Sequence, residues 1–378
     1  MKHILSLSTL LFLLTCSFGQ VKLQAPEGAK LHLVVDAGSS GTRFCLYQIE
    51  KSSEQIHGSY CKSIPIAGAY GKCKSIYAEN GIADLGESKG PPVILKGISE
   101  MEFASPGITS KISATALLGT GGFRRLPKAQ AEQILAKIRK TFTDNKMQAQ
   151  VRMISGEEEA EYAYYSIQQT HTTQENMGIL EIGGASVQVA YSVGGVLRKV
   201  SDAIGIGASY EKVTEAVDYQ EQCFQPPSEF FVRKKREGQT FQACKSLVKE
   251  KVFSPSALQR SFATPLGNTI KFYGMGKVWQ AKFSHHETDV LQKTELETTA
   301  EKYCKLTVAD LVDKDILEKF ARRECYTYSY LVSLMESVGI EEIHNGEGQS
   351  FTRGAAIVPG IFSGCAVADT TTAEEPAK

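Results

Sequence analysis

Two short stretches of this sequence carry acid, glycine and hydroxyl residues in the same order. The first is Asp36-Ala-Gly-Ser-Ser-Gly-Thr-Arg43, set between the apolar runs 31–35 and 44–49. The second is Glu181-Ile-Gly-Gly-Ala-Ser186, set between 177–180 and 187–191. Glycine lets backbone N–H groups approach an anion without a Cβ in the way, so each stretch suits the binding of phosphate oxygens. One such loop alone reads as a glycine-rich turn; two, each with an acid at the same place, read as a clasp for a polyphosphate. Further side chains suited to this chemistry lie between them: Thr120 and Arg124 in Thr120-Gly-Gly-Phe-Arg124, and three successive acids, Glu157, Glu158 and Glu159. Taken alone, the arginine reads as a surface salt bridge and the acids as ordinary first-turn residues of a helix.

The flanking patterns indicate which elements must position these groups. Both loops are followed by β-branched and aromatic residues that keep a strand pattern, so each reads as a hairpin and not as the strand-to-helix turn of a Rossmann or Walker-type loop. Ala131, Ile134, Leu135, Ile138 and Phe142 fall at helical spacing and predict a helix over 129–142. Ser155 and Glu158 have capping-box spacing, which starts another helix at the acidic cluster. Tyr330, Leu331, Leu334 and Val338 mark a late helix over 326–338, and the small, apolar segment 353–362 reads as buried chain. Alternating strands and helices imply an α/β fold.

Composition bounds the setting. The 378 residues include 42 basic and 42 acidic side chains, and this balance argues against a long-range field for nucleic acid or a membrane surface. Met1-Lys2-His3 followed by an apolar run to Thr15 and small residues before Gln20 reads as a cleaved signal peptide, 1–19, placing the protein outside the inner membrane, secreted or periplasmic. No later run approaches the roughly 18 apolar residues of a membrane span. Cys16 leaves with the leader, and the eight remaining cysteines lack the close pairs of a zinc site and favour disulfides. Loop-like spacing suggests Cys61/Cys73, Cys223/Cys244 and Cys304/Cys325, with Cys45/Cys365 by elimination. The basic run Arg233-Lys-Lys-Arg236 reads as a solvated loop, the His285-His286 pair as exposed, and 369–378 as a disordered tail.

Five ordered motifs carry a family resemblance. Asp36–Arg43, Thr120–Arg124, Ile154-Ser-Gly-Glu-Glu-Glu-Ala-Glu-Tyr162, Leu180-Glu-Ile-Gly-Gly-Ala-Ser-Val-Gln188 and Phe351-Thr-Arg-Gly-Ala-Ala356 resemble the signatures of the apyrase, or ecto-nucleoside triphosphate diphosphohydrolase, family. The resemblance runs from about residue 31 to 362. It departs where the family usually has aspartate (Glu181), glycine (Ala160) and tryptophan (Phe351), and where animal members often have histidine (Gly41).

The resemblance implies an actin-like fold, two ribonuclease-H-like lobes with a nucleotide cleft between them. Lobe I would comprise 30–150 plus 354–368 and lobe II 151–353. Glu159 would be the general base, with Ser186 and Gln188 helping to hold the attacking water and Arg124 reaching the phosphate. Ser39, Ser40, Gly41, Thr42, Thr120, Gly183, Gly184 and Ala185 would clasp the phosphates. Asp36 and Glu181 would hold a divalent cation (Mg2+, Mn2+ or Ca2+), largely through its waters. Tyr330 is the residue chosen to stack on the nucleobase. The implied partner is a nucleotide such as ATP, and the expected state is a monomer. Two rivals remain: another phosphohydrolase or kinase of the same superfamily, foremost a secreted exopolyphosphatase, and a binding protein that has kept the scaffold without turnover.

Overall fold

The structure is a computed structural model and describes residues 30–39, 41–49, 56–62, 81–104, 106–171, 176–214, 223–225, 240–262, 269–314, 316–346, 350–358 and 361–362. The leader 1–19, Ser40, Cys73, Cys365, the basic run 233–236 and the tail 369–378 lie outside the described residues.

Both acid–glycine loops are hairpin turns. In the first, β1 (Lys30–Ala37) and β2 (Thr42–Ile49) pair antiparallel, with Asp36 opposite Arg43. In the second, β6 (Met177–Ile182) and β7 (Val187–Val193) pair antiparallel, with Glu181 opposite Gln188. The turns close the same way: Gly38 N donates to Gly41 O at 3.0 Å, and Gly183 N to Ser186 O at 2.9 Å.

Each hairpin seeds a sheet of the same plan. With β3 (Ile56–Lys62), β4 (Ile112–Gly119) and β5 (Ala149–Met153), the first sheet has the order β3-β2-β1-β4-β5. With β8 (Val196–Asp202), β9 (Lys271–Met275), β10 (Val290–Gln292) and β11 (Glu342–Asn345), the second has the order β10-β11-β9-β6-β7-β8. In both, a three-strand antiparallel meander is followed by strands parallel to the first, β4 then β5 in one sheet and β9 then β11 in the other. The internal repeat read in the sequence therefore extends to whole sheets. The first sheet continues to Met153, a few residues beyond the boundary read at 150/151.

Helices cover the outer faces and fill the space between the sheets. On the first sheet lie α1 (Ile82–Ala104), the single turn α2 (Gly121–Arg124) and α3 (Lys128–Asp144). The five apolar residues that marked α3 in the sequence are the five it buries. Each of its larger side chains contributes about 1.5–3 kcal/mol when removed from water.

Between the sheets, α4 (Gly156–Gln168) packs with a short late helix, Phe351–Ala355, in a core shared with Val34, Tyr47, Leu118, Ile179, Ala190 and Met275 of both sheets. The segment read as buried chain is thus pinned: Tyr47 Oη and Thr352 Oγ1 lie 2.7 Å apart, and His32 Nδ1 lies 3.0 Å from Ala356 O. The outer face of the second sheet carries α5 (Ile206–Thr214), α6 (Phe241–Val248), α7 (Lys277–His286), α8 (Lys293–Tyr303) and α9 (Glu324–Val338).

Cys223–Cys244 and Cys304–Cys325 are disulfides, as their spacing suggested. The other two suggested pairs each include a cysteine outside the described residues. Cys45 is disulfide-bonded, and its Cα partner across β2 and β3 is Cys61. Among the described residues no helix is long and apolar enough to cross a membrane. Of the pair read as exposed, His285 is exposed, with Nε2 2.5 Å from Tyr303 Oη, whereas His286 is half-buried because its Nε2 packs 3.2 Å from Tyr328 Oη.

Candidate active site

The acidic cluster of the sequence divides once it is folded. Ser155 caps α4 through its hydroxyl, and Glu158 reaches back to the Ser155 N–H at 2.8 Å, completing the expected capping box. Glu157 is exposed, whereas Glu159, two residues on and so on the opposite face of the helix, is buried at 7% exposure. The helix phase selects Glu159 for the interior.

There Glu159 joins side chains from three other elements. Arg124 Nη2, from α2, donates to Glu159 Oε2 at 2.8 Å and to Ser186 Oγ at 2.9 Å, while its Nη1 donates to Ile154 O at 3.1 Å. Gln188 Nε2, from β7, donates to Ser186 Oγ at 2.7 Å and approaches Glu159 Oε2 and Ser201 Oγ, each at 3.3 Å. Ser186 Oγ thus accepts two hydrogen bonds, which occupy its lone pairs and leave its proton to donate outward. None of the described hydrogen bonds engages Glu159 Oε1.

The turn α2 sits against both hairpins. A Cβ on Gly121 would lie 2.8 Å from the Ala185 Cβ, and one on Gly122 would lie 2.9 Å from the Ser39 Cα. Thr120, buried at its N-terminal end, donates its backbone N–H to Ala37 O at 3.2 Å. Gly41 has φ of 150°, and Thr42 is buried at the head of β2.

Asp36 and Glu181 are buried at the ends of β1 and β6, and Asp36 Oδ1 and Glu181 Oε2 have no hydrogen-bond partner. Burial raises the pKa of Asp36, with Arg43 and Lys277 opposing it. Burial likewise pushes Glu159 up to about 7 against the charge and hydrogen bond of Arg124. Glu181 is raised well above the usual carboxylate range, first by burial and then by the charges of Glu159 and Asp36. Three acids that resist ionising together, two of them with unpartnered oxygens, call for positive charge. Hard oxygen donors suit Mg2+, Mn2+ or Ca2+. Among the described residues no group of three or more His, Cys, Asp or Glu side chains forms a metal cage.

The fold therefore brings Asp36, Arg124, Glu159, Glu181, Ser186 and Gln188 together between the hairpins. Tyr330 is not among them. Its ring is fully buried behind the second hairpin, packed on Phe253 and Tyr326, and its hydroxyl donates to Ile204 O at 2.7 Å, so no face is open to a base. Ser40 lies outside the described residues. The sequence reading missed Arg43, whose Nη1 is 3.6 Å from Asp36 Oδ2 and which was in view in the first motif. It also missed Ser201, which only the pairing of β8 with β7 brings opposite Gln188.

A family model described as the GDA1/CD39 (nucleoside phosphatase) family matches residues 22–220, more than half of the chain. The chain belongs to this family. Among its curated relatives, ectonucleoside triphosphate diphosphohydrolase 1 of Bos taurus is 28% identical over 194 residues, 44% of this chain and 35% of the relative. The chain spans about a third of the length of the curated relatives it matches. The Ppx/GppA family member of Aquifex aeolicus is similar in structure at a TM-score of 0.57 and 13% identity, over 87% of this chain and 97% of that one. An exopolyphosphatase of Cytophaga hutchinsonii gives 0.53 at 13% identity, over 86% and 96%. These likenesses show the fold, and this GDA1/CD39 family chain has the actin-like α/β architecture.

Proposed function

We propose that this GDA1/CD39 family protein is an apyrase-type hydrolase that removes the terminal phosphate of nucleoside triphosphates, and of diphosphates where the phosphate chain can shift between the hairpins. One observation carries the reading: Arg124, Glu159, Ser186 and Gln188 form a single hydrogen-bonded group between two glycine hairpins, beside the buried acids Asp36 and Glu181.

Phosphoanhydride hydrolysis asks for neutralised phosphate charge and a positioned water, with little covalent work for the protein. Backbone N–H groups of Ser39 to Thr42 and of Gly184 to Ser186, with the Thr120 hydroxyl, bind the phosphate oxygens. The outward O–H of Ser186, whose Oγ the Gln188 amide holds at 2.7 Å, suits a water. Glu159 takes a proton from that water as its oxygen attacks the terminal phosphorus in line, and the bond to the bridging oxygen breaks. Arg124 offers its charge to the departing phosphoryl oxygens. Asp36 and Glu181 would hold the divalent cation through its waters, and when bound it supplies charge neutralisation along the phosphate chain. The disulfides suit an oxidising compartment, which supports a secreted or periplasmic protein acting on extracellular nucleotides.

A second reading, exopolyphosphatase activity, is favoured by likeness to a solved exopolyphosphatase over most of both chains. The test is phosphate release by the oxidised protein from ATP, ADP and polyphosphate, with and without Mg2+ or Mn2+, beside Glu159→Gln. Metal-dependent release from ATP that collapses in the variant supports the nucleotidase. Release from polyphosphate alone moves the reading to the alternative, and no release from a folded protein overturns both.

A further inference from the structure

We propose that Gly205 is a positioning residue that turns the backbone amides of the second hairpin toward the phosphates. The proposal rests on the phosphohydrolase reading of the cleft and adds a residue that lies outside the five motifs.

Three successive carbonyls of the second hairpin are bound by one segment at the start of α5. Gly205 N donates to Ala185 O at 3.2 Å, Ile206 N to Gly183 O at 3.1 Å and Ala208 N to Gly184 O at 2.8 Å. A trans peptide holds its C=O and the following N–H on opposite sides, and no cis peptide occurs among the described residues. With the three carbonyls turned toward α5, the N–H groups of Gly184, Ala185 and Ser186 must point away from it. The segment thereby converts a flexible glycine turn into a set of aligned donors.

Such an approach needs bare backbone. A Cβ on Gly205 would lie 2.2 Å from Ser186 N and 2.5 Å from Ala185 C, and one on Gly207 would lie 2.8 Å from Gly184 O. Neither glycine has a positive φ, so the requirement is space and not backbone conformation. The segment is fixed from behind: Tyr330 Oη and Ser209 Oγ both donate to Ile204 O at 2.7 Å, and Tyr326 Oη reaches Ile206 O at 3.4 Å.

The first hairpin has a matching device. Gly81 N donates to Ser39 O at 3.2 Å, and a Cβ on Gly81 would lie 2.0 Å from Gly38 O. In each case a Gly-Ile pair stands at the start of a helix, Gly81-Ile82 for α1 and Gly205-Ile206 for α5. The internal repeat thus includes a prop for each hairpin as well as the hairpin itself.

The experiment compares Gly205→Ala and the milder Gly207→Ala with the wild type in the full oxidised chain. It reads kcat and KM on ATP with Mg2+, the thermal midpoint, and the amide NMR shifts of Gly184, Ala185 and Ser186 on titration with inorganic tripolyphosphate. Misplacing reacting groups by about 1 Å costs on the order of 100-fold in rate. Gly205→Ala is therefore expected to unfold cooperatively, lose about that factor in kcat, and lose the amide response. A folded Gly205→Ala with wild-type kcat and amide shifts overturns the proposal. Should Gly205→Ala fail to fold, Gly207→Ala decides on the same readouts. Should the wild type release no phosphate, the hydrolase reading falls by itself. The tripolyphosphate shifts then decide alone: present in the wild type and lost in Gly207→Ala they support the positioning role, and otherwise they overturn it.

Discussion

One guanidinium nitrogen, Arg124 Nη2, lies 2.8 Å from Glu159 Oε2 and 2.9 Å from Ser186 Oγ, linking a turn packed on the first sheet to a helix and a hairpin of the second. Planar guanidinium makes such shared contacts possible, while the other terminal nitrogen holds Ile154 O at 3.1 Å. Arg124→Lys places a single point charge there and cannot serve all three acceptors. Loss of one preorganised donor of this kind costs on the order of 10²–10³ in kcat. We expect Arg124→Lys to fall within that range on ATP and Glu159→Gln to fall at least as far, with both proteins folded. Steady-state phosphate release checks this, and wild-type kcat in Arg124→Lys would count against a role at the phosphate.

Glu181 puts a carboxylate one methylene further from its strand than Asp36, the acid of the first hairpin. Its Oε2 is buried without a partner, and its neighbours Glu159 and Asp36 add negative charge. Glu181→Gln removes charge from the donor set and is expected to weaken Mn2+ binding by at least about tenfold, equivalent to about 1.4 kcal/mol. Glu181→Asp keeps the charge but retracts it, and should change the ratio of Mg2+-supported to Ca2+-supported turnover. Mn2+ titration followed by electron spin resonance measures the first expectation without any turnover. Unchanged Mn2+ affinity in Glu181→Gln would remove this residue from the site.

Local signals explain why much of this arrangement could be read in advance. The capping spacing of Ser155 and Glu158 started α4 where expected, and helical phase then buried Glu159 while leaving Glu157 exposed. The stripe in α3 likewise predicts its buried face because only one side meets a sheet. Tyr330 shows the limit of such patterns: its helix is buried nearly all round, so spacing could not tell a ring in the core from one facing a ligand. Ser201 and Gly205 were illegible for another reason. Each acts through a partner brought near by strand pairing or by carbonyls of a distant turn, and no periodicity records those contacts.

Away from the cleft, Lys282 of α7 donates to Glu324 of α9, with both side chains only 7% exposed and the ammonium 4.1 Å from the Tyr328 ring centroid. Burial lowers the pKa of Lys282 against the opposing charge of Glu324. Removing one partner strands the other charge in the core, which typically costs about 3–5 kcal/mol, whereas an apolar pair of similar volume is often neutral. Lys282→Met should therefore lower the urea midpoint strongly, and Lys282→Met with Glu324→Leu should recover most of the loss. A double variant as unstable as the single one would show that packing, and not the unpaired charge, sets the cost.

His32 gives the fold a pH dependence of definite sign. A carbonyl only accepts, so the 3.0 Å contact with Ala356 O requires a proton on Nδ1, and the ring packs on Phe362 at 4.4 Å between centroids. Burial lowers its pKa below the ordinary 6.5, with the Ala356 carbonyl opposing and Lys30 assisting. As pH falls below that value the unfolded chain takes up a proton that the folded chain resists, so this contribution is present above about 6.5 and is lost toward the folded pKa. The slope from one such group is at most about 1.4 kcal/mol per pH unit. Other histidines with lowered pKa values act in the same direction, so the informative quantity is a difference between proteins. His32→Asn keeps an N–H donor for Ala356 O and does not titrate. Its stability, measured by urea unfolding at pH 7 and pH 5, should fall less on acidification than that of the wild type. Equal losses in the two proteins would mean that His32 is protonated in the folded chain as readily as in the unfolded one, contrary to the effect of its partial burial.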